Sequence, residues 1–367
     1  MNDTLYCGGC GVKIQTENEN ALGYAPKSAL KHEELLCKRC FQMRHYNKNT
    51  AVSIEDDEFL KMIGSIRNTD GLIIHLIDLF DVNGTLLSSL PRLVGDNPVL
   101  LVANKVDLLP KSSNHHKLKN WLFHLAKEAG IKVVDVFLIS AKSGTNFNQL
   151  QIEMDKQRKG KDIYVVGVTN VGKSTFINHI VHNATGIKQA ITTSYYPGTT
   201  LGFIEIPLDD QSALVDTPGV INEEQMAHYV SDADLKLITP TSEVKARNYQ
   251  LDNGQTLYFG GLARFDFIRG EKQPFVCYFS NRLHIHRTKL ENADELYDNH
   301  LGKLLSPPDE ETLKVLPTLT KSTFKIEEGY TDIVLPGLGW ITVIDGDVTV
   351  EVHSPKGIAP SIRRSFQ

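Results

Sequence analysis

Three features of the sequence predict an α/β protein flanked by two differently built regions. Between residues 71 and 215 short apolar runs alternate with segments of helical periodicity, the pattern of a mostly parallel sheet with helices on both faces. Two Cys-x-x-Cys pairs precede it, and aromatic and β-branched runs separated by glycine-containing turns follow it. The expected organisation is a small cysteine ribbon over residues 1–50, an α/β domain over 51–225 and a β-rich domain over 226–367.

A chain of 367 residues has room for about two or three such domains. Its net charge of −5 argues against a uniformly basic nucleic-acid binder, so RNA would be met by a local patch and DNA is not an expected partner. No apolar run is long enough to span a bilayer, and the segment before Cys7, with Asp3 and no apolar core, does not read as a signal peptide. A soluble, cytoplasmic chain with no membrane partner is expected.

Cys7-Gly8-Gly9-Cys10 is answered by Cys37-Lys38-Arg39-Cys40, with twenty-six residues between the pairs. Two knuckle-like turns can place four thiolates tetrahedrally around zinc, leaving no open position and therefore predicting a structural site. A disulfide framework fits poorly without an export signal, and a redox Cys-x-x-Cys occurs singly. Cys277 has no such partner and reads as a core thiol. Arg39, Phe41, Arg44, His45, Tyr46 and Lys48 mix charge with aromatic rings, which suits either RNA contact or a solvated face closing the ribbon. Phe59, Leu60, Ile63 and Ile66 then recur at helical spacing, which predicts a connecting helix over residues 56–67.

Residues 71–78, 98–103 and 132–139 read as strands, and the segments 86–93, 117–128 and 146–157 as helices between them. His75, inside the first strand, is expected to pack in the core. Asn104-Lys105-Val106-Asp107 closes the second strand, and Ser140-Ala141-Lys142 follows the third. The first resembles the guanine-reading motif of GTPases, in which a carboxylate, here Asp107, accepts from the adjacent N1–H and N2 amine of the base; adenine offers no such donor pair. The second resembles the Ser-Ala-Lys motif whose backbone meets the guanine oxygen.

After an apolar run at 163–166 comes Gly167-Val168-Thr169-Asn170-Val171-Gly172-Lys173-Ser174, which fits the phosphate-binding pattern G-x-x-x-x-G-K-[ST]. Strand, glycine loop and helix stand in the required order. Val171, Gly172, Lys173, Ser174 and Thr175 are expected around the phosphates, with Lys173 as a point charge and Ser174 as a magnesium ligand. A polar segment then ends in Tyr196-Pro197-Gly198-Thr199-Thr200, which looks like a first switch with Thr200, or else Thr199, on magnesium and the γ-phosphate. Strands at 201–207 and 212–215 lead to Asp216-Thr217-Pro218-Gly219, where Asp216 is expected to hold magnesium through water and the Gly219 N–H to sense the γ-phosphate.

All five motifs are present, but the base-reading pair precedes the phosphate loop, which is the signature of a circular permutation. The polar stretch 155–162 reads as the joining linker. With two zinc knuckles in front and a long tail behind, the chain resembles the YqeH family of bacterial ribosome-assembly GTPases over its full length. That resemblance implies binding of GTP and GDP with magnesium, hydrolysis of GTP, and the small ribosomal subunit, through ribosomal RNA or protein, as partner. The alternative is a GTPase serving an RNA-modifying or stress-signalling complex, its ribbon contacting protein.

Lys173, Thr200, Gly219 and Asn170 are the expected catalytic residues. Val220 stands where Ras-like proteins place the glutamine that orients the attacking water. Asn170 occupies the position that helps to bind a monovalent cation in potassium-activated GTPases with a similar loop, so K⁺ joins zinc and magnesium as an expected ion; the alternative is that Asn170 only bonds within the loop.

In the tail, residues 256–267, 275–280, 282–287, 322–326, 331–335, 340–344 and 348–352 read as strands, with Asn253-Gly254 and Gly260-Gly261 as turn or bulge signals, and 292–304 as a helix. Arg264, Arg269, Lys272, Arg282, His284, His286, Arg287 and Lys289 cluster in sequence, as an RNA patch or as a solvated sheet face.

Overall fold

A computed structural model describes residues 64–185 and 204–366, apart from 210, 218 and 221, and of the first 63 residues only 5, 14–17, 24–27, 29–31, 35, 37 and 38. Cys7, Cys10, Cys40, the basic stretch 39–48, residues 56–63 of the helix expected over 56–67 and the switch threonines Thr199 and Thr200 lie outside the described residues; the end of that helix is the 3₁₀ turn Ser65–Asn68, with Ile66 buried. The chain divides into two compact units, one of residues 1–76, 87–102 and 126–220, the other of residues 77–86, 103–125 and 221–367.

The α/β sheet has six strands: β1 Leu72–Asp78, β2 Val99–Asn104, β3 Val133–Leu138, β4 Ile163–Val166, β5 Ile204–Pro207 and β6 Ala213–Asp216, in the order β3-β2-β1-β4-β6-β5. β4 runs parallel to β1 and β6, and β5 runs antiparallel to β6, so the sheet is mixed. β1, β2 and β4 are buried along their whole length, as their unbroken apolar runs require of strands covered on both faces. The helices Phe147–Arg158 and Lys173–Thr185 pack on it through Phe147, Leu150, Met154, Phe176, Ile177 and Ile180.

His75 is wholly buried, as expected of a core residue. The Leu87 N–H donates to its Nε2 at 3.2 Å, and Nδ1 lies 3.5 Å from the Val166 carbonyl. Burial lowers its pKa to about 4, so it stays neutral.

The second unit is built on two five-stranded antiparallel sheets. One runs β16 Ser361–Arg364, β13 Thr331–Leu335, β14 Gly339–Val343, β10 Gln273–Phe279, β7 Arg247–Leu251; the other runs β11 Ile285–Lys289, β8 Gln255–Phe259, β9 Ala263–Arg269, β15 Val348–Pro355, β12 Leu319–Ile326. Alternate residues of both sheets supply one core, which makes this a β-sandwich. Phe259 stacks on Phe279 at 4.1 Å, and Phe275 meets Phe265 and Phe267 edge-on. Cys277 lies in this core, and burial pushes its thiol pKa up.

Several expected elements are corrected. Residues 256–267 form a hairpin, β8 and β9, which turns at the expected Gly260-Gly261 signal, where Gly260 takes φ 55°. The expected strand 282–287 is displaced to Ile285–Lys289, since Leu283 closes a turn onto Ser280. The expected helix 292–304 ends at His300, and the expected helix 86–93 is confined to Leu90–Val94. β7 and β16 were not expected.

Five of the eight clustered basic residues have partners within the chain. Arg264 is buried and paired with Asp266 at 2.7 Å and with Asp294; Arg282 donates to the carbonyls of Lys236 and Thr239 at the end of the helix Asp232–Ile238. Lys272 pairs with Asp252, Lys289 with Glu291, and Arg287 donates to Gln255.

Candidate nucleotide site

The phosphate loop leaves β4 at Val166 and enters the helix Lys173–Thr185. Gly167 is buried so closely against β1 that a β-carbon there would stand 2.6 Å from the Leu76 carbonyl oxygen. Asn170 and Gly172 hold φ of 65° and 90°. Left-handed residues alternating with right-handed ones gather successive N–H groups into a concavity, here at the positive end of a thirteen-residue helix. The geometry fits a polyphosphate.

The Asp-x-x-Gly turn is tied to that loop. The Thr169 N–H donates to the Val220 carbonyl at 2.9 Å, and the Val220 N–H donates to the Gly167 carbonyl at 3.1 Å. A β-carbon on Gly219 would stand 3.0 Å from Thr169 Cγ2, a tight contact that glycine avoids. Lys173 Nζ donates to the Thr217 carbonyl and lies 3.4 Å from Asp216 Oδ1, while Thr217 Oγ1 donates to Val165. A hydroxyl at Ser174 and a carboxylate at Asp216 are the hard oxygen donors that magnesium takes.

The Ser140-Ala141-Lys142 loop is closed on itself: the Gly144 N–H donates to the Ser140 carbonyl at 2.8 Å and the Ser143 N–H to Ser140 Oγ at 3.2 Å. His179, from the phosphate-loop helix, packs against Gly144 and against the Phe147 ring at 4.0 Å, so this loop is held by the phosphate-loop helix. Asn146 also fixes it by donating to the Leu138 carbonyl.

Asn104 ends β2 and is buried, Lys105 takes φ 69°, and Asp107 is the middle residue of the short 3₁₀ turn Val106–Leu108. The Asn104 carbonyl accepts from the Leu79 N–H at 3.0 Å, which joins the ends of β2 and β1. Lys105 Nζ lies 2.6 Å from Asp78 Oδ2, and Asp78 Oδ1 accepts from the Phe80 N–H. Asp78 was missed at the level of sequence. A carboxylate ending the apolar run of β1 was the available signal.

In the other unit, the segment that follows the Asp-x-x-Gly turn is pinned on both sides. Asn222 Nδ2 donates to the Gly84 carbonyl at 2.9 Å, and Gln225 Nε2 donates to Asp81 Oδ2 at 2.6 Å. The Met226 N–H donates to the Pro336 carbonyl and its side chain is buried in the sandwich core. Burial raises the pKa of Asp81, and the Gln225 amide opposes the rise. Beside the same segment, Arg363 lies over the Trp121 ring at 4.9 Å, donates to Asn83 Oδ1 at 2.6 Å and pairs with buried Asp332.

A phosphate loop locked to an Asp-x-x-Gly turn, with Asn-Lys-x-Asp and Ser-Ala-Lys at other strand ends, defines a P-loop GTPase domain. Residues 162–255 match the family described as 50S ribosome-binding GTPase, and residues 272–366 match the family described as YqeH-like, C-terminal. The chain is 52% identical over 364 residues to the uncharacterized protein YqeH of Bacillus subtilis, covering 99% of this chain and 100% of that one. It is 30% identical to the chloroplastic/mitochondrial NO-associated protein 1 of Arabidopsis thaliana, over 92% of this chain and 69% of the relative. A shorter match, 30% over 148 residues, is to the small ribosomal subunit biogenesis GTPase RsgA of Azobacteroides pseudotrichonymphae, covering 37% of this chain and 44% of that protein. The chain belongs to the YqeH family and is a GTPase, converting GTP to GDP and phosphate with magnesium.

Proposed function

We propose that this GTPase is a nucleotide-dependent switch that assists assembly of the small ribosomal subunit. The observation that carries the switch is local: Asn222, Gln225 and Met226, anchored to the 81–84 loop and the sandwich, follow Gly219 by three to seven residues. A shift of Gly219 on γ-phosphate loss therefore pulls on a segment with fixed partners. The RsgA relative supports the small subunit, and the description 50S ribosome-binding GTPase makes the large subunit the competing partner.

In this reading Asn104, Lys105 and Asp107 select guanine, with the Ser140-Ala141-Lys142 backbone at its oxygen. Val171 to Thr175 hold the phosphates, Lys173 placing its charge between them. Ser174, Asp216 and Thr200 would hold magnesium, which when bound neutralises charge on the phosphate oxygens. The sheet order supports a circular permutation, since β4 stands between strands that precede it in the chain and strands that follow it. The proposed regions are 1–50, 51–225 and 226–367, the chain working in the cytoplasm.

Co-sedimentation with purified subunits tests this. With a non-hydrolysable GTP analogue the protein should travel with small subunits and be released by GDP. Travel with large subunits alone, or with neither, overturns it, and the latter favours the RNA-modifying or stress-signalling alternative.

We further propose that Cys7, Cys10, Cys37 and Cys40 bind one structural zinc; Cys37, the described member, is buried. Zinc sites of this kind contribute about 10–16 kcal/mol to folding of their module. Cys37→Ser should lose the metal while keeping GTP affinity within about twofold, because a four-thiolate site leaves no position for substrate. Metal analysis that finds no zinc in the purified wild type contradicts the assignment.

A further inference from the structure

The net charge of the chain is concentrated in one short stretch. Between residues 290 and 316 seven carboxylates stand against two lysines, a surplus equal to the whole chain's −5, so the remainder is balanced. The stretch contains the helices Ala293–His300 and Glu310–Val315. It walls a cavity of about 530 Å³ beside the start of β12, an edge strand.

Asp294, Asp298 and Leu301 line this cavity from one side at helical spacing, and Leu313 and Leu316 from the other. Its floor is Arg264 and His353, neighbours across β9 and β15. The floor is not basic in effect. The Arg264 guanidinium is bonded to Asp266 and Asp294, and His353 Nε2 lies 3.1 Å from Asp266 Oδ2. The rim is negative and exposed, with the Asp294 side chain 90% accessible. Leu313, in the lining, is 39% exposed, and Leu304 and Val315 of the same stretch are exposed by 48% and 62%.

A polyanion is disfavoured by Asp294 and Asp298 on the rim, set in a stretch of net charge −5, a metal ion has no use for leucines, and a neutral ligand gains nothing from the charge. Both features are met by a peptide that carries lysine or arginine next to apolar side chains, the cations reaching Asp294 and Asp298 while their stems and neighbours cover Leu301, Leu313 and Leu316. We propose that this cavity docks an extended, basic, apolar-bearing segment of a partner protein. β12 has no neighbour on its outer side among the described residues, so it offers main-chain groups to such a segment. The inference is independent of the ribosomal reading.

The test uses the full-length protein and a fluorescein-labelled peptide of about twelve residues alternating lysine and leucine, followed by anisotropy. It should bind, and more weakly as salt rises from about 50 to about 500 mM. Asp298→Lys, an exposed position, should weaken binding by roughly tenfold or more, as should Leu313→Ser, with GTP hydrolysis unchanged in both. The inference is overturned if the peptide does not bind, if neither variant weakens it, if a glutamate-leucine peptide binds equally, or if a single-stranded RNA displaces it from wild type but not from Asp298→Lys.

Discussion

Single-turnover GTP hydrolysis should run on the order of tenfold or more faster in potassium than in sodium at equal ionic strength, and Asn170→Ala should abolish the difference. The reason begins at Val220. Its side chain packs against the apolar core of the α/β unit, and its backbone is bonded on both sides to the phosphate loop. An aliphatic group fixed there can neither orient the attacking water nor offer charge. An arginine finger, where one is used, is worth about 10³–10⁵ in kcat, so some positive charge has to be found elsewhere. Asn170 is exposed in the phosphate loop and holds φ 65°, a conformation asparagine tolerates better than most residues. A monovalent cation bound by its amide oxygen would place charge beside the phosphates. Equal rates in the two salts would leave catalysis to a group supplied by a partner.

What was legible in the sequence follows the range of the interactions involved. The phosphate loop depends on glycines and a lysine within eight residues, and its strand, turn and helix stand where the pattern puts them. β1 and β2 were legible because burial on both faces demands unbroken apolar runs. The sandwich was readable where its strands alternate, as in Phe265 and Phe267, and opaque at its edges. β7 offers Arg247, Asn248, Tyr249 and Gln250 before one buried leucine, and β16 is secured by Arg363 instead of an apolar side chain. The grouping of residues 77–86 and 103–125 with the C-terminal strands had no local signal. It rests on pairs such as Gln225 with Asp81 and the Trp121 indole with the Arg364 carbonyl, 144 and 243 residues apart.

The most direct test of the guanine-nucleotide site is Asp107→Asn in a competition binding assay. The wild-type carboxylate is expected to accept from guanine N1–H and the N2 amine together. Hydrogen bonds to a charged partner contribute about 1.5–3 kcal/mol each, so weakening the one from N1–H and replacing the one from the N2 amine by a donor–donor clash predicts a fall in GTP affinity of roughly 10²–10³. The fall should not reflect collapse of the loop, because its geometry rests on Asn104 bonded to Leu79 and on Lys105 paired with Asp78, neither of which the substitution touches. An asparagine amide donates where guanine also donates, but it can donate to the C2 carbonyl of xanthine and still accept from N1–H. Xanthosine triphosphate should therefore displace labelled GDP from the variant better than GTP does, reversing the wild-type order. An unchanged preference for GTP in Asp107→Asn would remove this loop from base recognition and contradict the site proposed for this chain.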